Sequence, residues 1–150
     1  MIRNSYELKL IRESGRISAA ALKKSLELVK PGVSELEVDK VAGEEIYKLG
    51  GDLSYKTVPG YKFATCITVN EQVVHGIPTD RKFASGDLVS VDLAVVYKGW
   101  HTDCAWTILL GKNAEKKKFL KVGEDALWDG ISRATEGQRL GDVSNAIQTK

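Results

Sequence analysis

The segment of residues 86–111, GDLVSVDLAVVYKGWHTDCAWTILLG, constrains the fold of this chain more than any other part of the sequence. Apolar and polar residues alternate along two runs that are rich in Val, Ile, Thr and Trp, which is typical of half-buried β-strands. The two runs are separated by Lys98-Gly99, and glycine readily adopts the positive φ that a two-residue hairpin loop needs. The segment therefore predicts an antiparallel β-hairpin.

A loop of that length also predicts the register of the hairpin, with Ala94 opposite Asp103 and Asp92 opposite Ala105. Side chains alternate between the two faces of a strand, so Asp92 and Asp103 should project from the same face of the sheet. As diagonal neighbours they would have backbones about 7–8 Å apart. An odd-numbered turn or a β-bulge would break this argument.

The two faces of the predicted hairpin differ in character. One is apolar and has to be buried; it carries Val89, Val91, Leu93, Val95, Cys104, Trp106 and Ile108. The aspartate face is lined by the small residues Ser90, Ala94, Ala105 and Thr107. Two carboxylates in such a place repel each other unless a cation neutralises them, and two divalent metal ions about 3.5–4 Å apart would suit their separation. The alternative is a pair of solvated aspartates on the polar side of a sheet.

The composition of the chain indicates a globular protein. The chain has 150 residues, of which 43% are hydrophobic and 28% charged, and a formal net charge of +2. These values are typical of one globular domain, and so small a charge gives no indication of direct nucleic-acid binding. Because the N-terminus lacks a signal-peptide pattern and no stretch approaches a membrane span, we expect a cytoplasmic protein whose two cysteines are reduced thiols.

Helical spacing of apolar residues predicts two helices before the strands. The first should run from near Ser5 to Lys30-Pro31-Gly32, and its stripe of inward residues is Ile11, Gly15, Leu22, Leu26 and Val29. The second should open at Ser34, where Glu37 completes a capping box, and end at Gly50-Gly51. Its expected buried face is Val38, Val41, Ala42, Ile46 and Leu49.

Short strands are predicted from Leu53 onward, over residues 65–69 and at Val73-Val74. The chain should then leave the sheet at His75-Gly76-Ile77-Pro78, since proline cannot continue a strand ladder. After the hairpin, residues 114–134 return to helical spacing, and a last helix should begin near Gly141 and continue to Lys150. The residues expected to face inward on the first of these helices are Phe119, Val122, Ala126 and Ile131.

The chain also contains an internal repeat. LKKSLELVKPGVSELEV, which begins at Leu22, superposes without gaps on LWDGISRATEGQRLGDV, which begins at Leu127. We interpret the chain as a first αβ half over residues 1–112 and the start of a second half over residues 113–150. The second copy stops before its strands, so the repeat predicts a chain that is cut short at its C-terminus. Two amphipathic helix pairs that match by chance are the alternative.

Two motifs carry a family resemblance: VNEQVVHGIP at residues 69–78 and VDLAVVYKGWHTD at residues 91–103. Together they resemble the N-terminal part of type I methionine aminopeptidases, and the resemblance covers the whole chain. It implies an α/β (α+β) protein of the pita-bread (creatinase/aminopeptidase-like) fold, here its first half plus the opening helices of the second pseudo-repeat. It also implies removal of the initiator methionine of nascent polypeptides with two divalent metal ions (Co, Mn, Fe or Zn). The ribosome is a further candidate partner, and no membrane is implied.

The resemblance assigns roles to individual residues. Asp92 would chelate one metal ion and Asp103 would bridge both ions. His75 matches a histidine that positions substrate or stabilises the tetrahedral species; without the motif, we would interpret it as an ordinary loop histidine. Residues in the positions that line the methionine pocket are Tyr55, Tyr61 and Cys66, of which Tyr55 follows a loop of variable length. His101 is a candidate to support the metal ligands.

The sequence also departs from the family. Ala94, Cys104 and Ala105 stand where many members carry Thr or Ser, which puts substrate hydrogen bonds from those positions in doubt. The family completes its metal site with one His and two Glu from its second half, and no segment here matches them. We therefore expect the chain to be inactive alone. Two alternatives remain: a metal-free relative that keeps the fold as an interaction surface, and a proline-specific aminopeptidase or prolidase of the same fold.

Overall fold

The computed structural model describes residues 2–150, which form two compact units. The first unit ends at Gly111 and the second is Lys112–Lys150. Elements of the first unit are α1 (Ser5–Leu28), α2 (Glu35–Lys48), β1 (Asp52–Leu53), β2 (Thr65–Val69), β3 (Leu88–Tyr97) and β4 (Trp100–Leu109). Those of the second are α3 (Ala114–Arg133) and α4 (Leu140–Gln148). Among residues 2–150, no helix combines the length and the apolar character that a membrane crossing requires.

The predicted hairpin is confirmed, and so is its register. β3 and β4 pair antiparallel, with Ala94 opposite Asp103 and Asp92 opposite Ala105. Lys98 and Gly99 make the turn with φ of 48° and 83°, the left-handed conformation of primed hairpin turns. Both aspartates therefore lie on one face of the sheet, as the alternation predicts.

β3 is the central strand of the antiparallel sheet. β4 pairs along the whole of one edge of β3, so β1 and β2 share the other edge. β2 runs beside residues 89–93 of β3 and places Cys66 directly opposite Asp92. The aspartate face thus receives residues from three strands.

The other face of the sheet forms the core with α1 and α2. Val89, Val91, Leu93 and Val95 of β3 have no exposed surface, as their apolar alternation predicts. Side chains from both helices and the sheet meet around Gly51, where an added Cβ would lie 2.9 Å from Val95, 3.2 Å from Ile17 and 3.3 Å from Ile46. The predicted capping box of Ser34 and Glu37 is present at the start of α2.

The predicted inward stripe of α1 was only partly right. Leu22 and Val29 are buried and Leu26 packs against the core, but the other buried residues of α1 are Ser14, Ile17, Ser18, Ala21 and Ser25. Serines can face the core here because their hydroxyls are bonded: Ser14 and Ser18 each contact the Thr102 hydroxyl at 2.8 Å. A rule based on apolar residues alone does not anticipate such hydrogen-bonded serines.

Two further predictions need correction. Val73-Val74 is not a strand: both side chains are exposed in the loop after β2, where no strand pairs with them. The strand that includes Leu53 is only two residues long and gives way at once to a 3₁₀ turn, Ser54–Thr57. Hydrophobicity alone therefore overestimated the extent of the sheet on both sides of β2.

The second unit consists of α3 and α4. Its helices lie within one or two residues of the predicted bounds, but Phe119, Val122 and Ile131 of α3 are exposed rather than inward. Gly130 is buried against α4, where an added Cβ would come 2.7 Å from Ile147. Two helices alone can cover only a narrow stripe of each other, which accounts for the apolar residues that stay exposed.

Candidate metal and substrate site

Asp92 and Asp103 meet above the middle of the β3–β4 hairpin. Asp92 on β3 is half-buried, whereas Asp103 on β4 is exposed. Their carboxyl groups are close enough to share a hydrogen bond. None of the ion pairs among residues 2–150 involves either aspartate. The hairpin thus brings together the two carboxylates that the sequence predicts as metal ligands.

The two carboxyl groups influence each other's ionisation, because a negative charge on one disfavours a negative charge on the other. Burial raises the pKa of Asp92 to about 6, and the negative charge of Asp103 and the hydrogen bond with it act in the same direction. A hydrogen bond from Tyr55 and the charge of His75 lower the pKa but do not offset these effects. A bound cation would relieve the repulsion that remains at neutral pH.

The chemistry of the donors fits a divalent metal ion, because carboxylate oxygens are suitable ligands for hard and borderline cations. The number of metal-binding side chains in this part of the protein is nevertheless small. In the part of the chain that the structure describes, no group of three or more His, Cys, Asp and Glu side chains is arranged to bind one ion. Asp92 and Asp103 therefore fit part of a coordination sphere.

Cys66 and Tyr61 border the aspartates on the β2 side. Cys66 lies opposite Asp92 and is buried. The Tyr61 hydroxyl donates to the Thr65 carbonyl oxygen at 2.6 Å and lies 3.3 Å from the Cys66 sulfur. Burial raises the pKa of the Tyr61 phenol, with the hydrogen bond to Cys66 as the next cause, so the phenol stays neutral. These residues form an apolar, polarisable wall next to the carboxylates.

Tyr55 completes this wall and also touches the aspartate pair. It lies in the 3₁₀ turn after β1, and its hydroxyl donates to Oδ1 of Asp92 at 3.3 Å. The Tyr55 ring meets the Tyr61 ring edge to face, with 5.5 Å between centroids. Burial, followed by the charge of Asp92, raises the pKa of Tyr55, which keeps this phenol protonated. The sequence indicated the location of Tyr55 but not its hydrogen bond to Asp92.

His75 lies in the loop after β2. It is exposed and has φ of 56°, an uncommon conformation for a residue with a side chain. The next residue, Gly76, accepts a hydrogen bond from the Ile67 backbone N–H at 2.9 Å. Since the charge of His75 lowers the pKa of Asp92, the histidine is near enough to the carboxylates to influence them.

His101 contacts the 3₁₀ turn. Its Nδ1 lies 2.7 Å from the Ser54 hydroxyl, one residue before Tyr55. This contact joins His101 to the segment that carries Tyr55, and the predicted support of the metal ligands stays a prediction.

Asp39 is a residue of the site region that the sequence reasoning missed. From α2 it accepts hydrogen bonds from the backbone N–H groups of Ala64 and Thr65 at 2.9 and 2.8 Å and from the Thr65 hydroxyl at 2.7 Å. Burial raises the pKa of Asp39, while these hydrogen bonds oppose the shift. Asp39 thus holds the start of β2, immediately before Cys66. The only indication of this role in the sequence was the position of an acidic residue next to the apolar Val38 in an amphipathic helix.

Comparisons with known proteins show to which family the chain is similar. The family described as metallopeptidase family M24 matches residues 9–150. Methionine aminopeptidase 1 of Bacillus subtilis is 40% identical over 144 residues, which are 95% of this chain and 58% of the Bacillus protein. The chain therefore spans less than two thirds of the length of this curated relative.

Solved structures show the same architecture. The crystal structure of methionine aminopeptidase from Thermotoga maritima matches 99% of this chain and 60% of its own length, with a TM-score of 0.95 and 36% identity. Prolidase from Pyrococcus furiosus matches 99% of this chain and 43% of its own length, with a TM-score of 0.85 but only 20% identity, which is a likeness of fold alone. The predicted α/β architecture of the pita-bread type is confirmed.

Proposed function

This chain belongs to metallopeptidase family M24, and on that premise we propose that it is the N-terminal part of a methionine aminopeptidase. The proposed reaction is the removal of an N-terminal methionine from a polypeptide. The observation that carries the proposal is the meeting of Asp92 and Asp103 on one sheet face beside Tyr55, Tyr61 and Cys66.

We assign the metal ligands of this half to Asp92 and Asp103. Both point to the same face, and their mutual repulsion favours a divalent cation between or beside them. When bound, divalent metal would supply an activated water and polarise the scissile carbonyl. Co, Mn, Fe and Zn all accept carboxylate ligands, and two ions of this group are proposed by analogy with the family.

We assign the methionine side chain to the wall of Tyr55, Tyr61 and Cys66. Aromatic rings and a thiol present a polarisable surface that suits an unbranched thioether. We assign to His75, which is exposed in the loop after β2, a hydrogen bond to the substrate or to the tetrahedral species formed from it. Ala94 and Ala105 have no hydroxyl groups, so substrate hydrogen bonds on the hairpin itself would have to come from other groups.

The remaining metal ligands are proposed to come from outside residues 1–150. Two carboxylates leave most coordination positions of two ions open, so we expect weak metal binding and no useful turnover from the 150-residue chain alone. The test is to incubate this chain with Mn, Co or Fe(II) and a Met-Ala-Ser peptide. Turnover of about 1–10³ per second, the range of complete enzymes, or tight binding of two ions would contradict this part of the proposal.

The activity itself is tested with a chimera in which residues 1–150 replace the matching part of the Bacillus subtilis relative. The chimera should release methionine from Met-Ala-Ser, and the same chimera with Asp103→Asn should lose the activity while keeping its circular dichroism spectrum. A folded chimera that binds metal but does not release methionine would argue against the proposed substrate. Equal activity with and without Asp103 would argue against the ligand assignment.

A further inference from the structure

The 3₁₀ turn Ser54–Thr57 crosses the edge of the aspartate face and is connected to it at two points. Ser54 lies 2.7 Å from Nδ1 of His101 on β4, and Tyr55 donates to Oδ1 of Asp92 on β3. These contacts join the turn to both strands that carry the carboxylates. The turn therefore cannot shift without disturbing at least one of them.

The side chain of Tyr55 is held in place by more than its hydroxyl. It is half-buried, and its ring packs edge to face on Tyr61. The Tyr61 hydroxyl is in turn bonded to the Thr65 carbonyl oxygen of β2. A side chain fixed in this way has little rotamer freedom left to lose, so its hydrogen bond can restrict the carboxylate that accepts it.

We propose that Tyr55 is a positioning residue that orients the Asp92 carboxylate for metal binding, in addition to its place in the pocket wall. The inference rests on the proposed function, because it takes Asp92 as a metal ligand. Tyr55 holds one oxygen of Asp92 and leaves the other available to a metal ion. Tyr55 also joins the methionine pocket to the metal site through a single side chain.

The test is a Mn²⁺ titration of the full 150-residue chain, followed by paramagnetic broadening of the amide signals of β3 and β4, which suits weak binding. Tyr55→Phe removes the hydroxyl and keeps the ring. Its dissociation constant for Mn²⁺ should rise by about tenfold, the lower end of the effect of removing a group that supports a ligand. Tyr6→Phe, which removes a hydroxyl from the exposed Tyr6 of α1, is the matched control and should bind within twofold of wild type.

A second readout separates positioning from a merely structural role. Zn²⁺ should perturb the tyrosine absorption of the wild-type chain and of Tyr6→Phe, and this difference signal should be lost in Tyr55→Phe. The urea midpoint of Tyr55→Phe should stay that of wild type. Weaker Mn²⁺ binding that comes with a lower midpoint would overturn the proposal, since loss of fold would then explain the change.

Asp92→Asn distinguishes the metal-ligand role of Asp92 from the positioning role of Tyr55. If it binds Mn²⁺ as wild type does, Asp92 is not a ligand, and both the metal assignment and the role of Tyr55 are wrong. If Asp92→Asn abolishes binding while Tyr55→Phe binds within twofold of wild type, or more tightly, the metal assignment stands and the role of Tyr55 is wrong. Binding that is lost in Asp92→Asn and weakened about tenfold in Tyr55→Phe, at an unchanged midpoint, supports both.

Discussion

Replacing Gly76 with alanine should destabilise the first unit by a large amount, although it adds only one methyl group. An added Cβ would overlap the Ile67 carbonyl oxygen and lie 3.0 Å from its carbonyl carbon and 3.1 Å from Cγ2 of Thr68. The first two obstacles are backbone atoms of β2, which cannot rotate away. The loop that carries His75 would have to move instead.

The magnitude follows from what this movement breaks. The Ile67 backbone N–H donates to the Gly76 carbonyl oxygen at 2.9 Å, and Ile67 is 1% exposed. Leaving that buried donor unsatisfied costs about 1–3 kcal/mol, and overpacking adds about 1–3 kcal/mol. We therefore expect Gly76→Ala to lower the free energy of unfolding by about 2–6 kcal/mol. Gly76 does not adopt a positive φ, so the effect of the added methyl group is steric rather than conformational.

The assay is urea unfolding followed through amide signals of β3, which report on the first unit alone. Gly15→Ala in α1 is the matched control, because nothing lies within 4 Å of its added Cβ. Alanine is the better helix former, so the control should stabilise the unit by about 1 kcal/mol. The signals of His75 should shift in Gly76→Ala and stay in place in Gly15→Ala. A free energy for Gly76→Ala within about 0.5 kcal/mol of wild type, the range of ordinary surface substitutions, would refute the reasoning.

Two other predictions concern buried or paired carboxylates. Asp39→Ala leaves the backbone donors of Ala64 and Thr65 without their acceptor, and should cost about 3 kcal/mol in urea unfolding; a loss below about 1 kcal/mol would mean that water replaces the carboxylate. Because the pKa of Asp92 is raised to about 6 in the folded chain, the folded state holds this proton more tightly than the unfolded state. The metal-free chain should therefore lose stability as pH rises from about 4 to 6. The melting temperature of wild type should fall over this pH range relative to that of Asp92→Asn. If the melting temperatures of the two proteins change in parallel with pH, the raised pKa of Asp92 is contradicted.

The hairpin and its aspartate pair could be predicted because their determinants are local. A strand has a side-chain period of two, and a two-residue turn at Lys98-Gly99 leaves one register, so the common face of Asp92 and Asp103 follows without knowledge of the rest of the fold. The capping box of Ser34 and Glu37 is local in the same sense. Such features depend on residues a few positions apart.

The contacts that were missed join segments far apart in the chain. The hydrogen bond from Tyr55 to Asp92 and the one from Thr65 to Asp39 depend on how a 3₁₀ turn and α2 dock on the sheet. No periodicity encodes such docking. The serine stripe of α1 was missed for a related reason, since a serine is acceptable in the core only when a partner such as Thr102 is present.

The sequence by itself therefore determined which residues face the site from the hairpin, and its motifs indicated the family to which they belong. Only the tertiary structure decided what surrounds those residues: Cys66 opposite Asp92, Tyr55 on its carboxylate, and Asp39 behind the start of β2. The physical reason is that strand alternation is a property of the backbone at each position. The partner of a polar side chain is instead set by the packing of whole elements, which satisfies buried groups that no local pattern pairs.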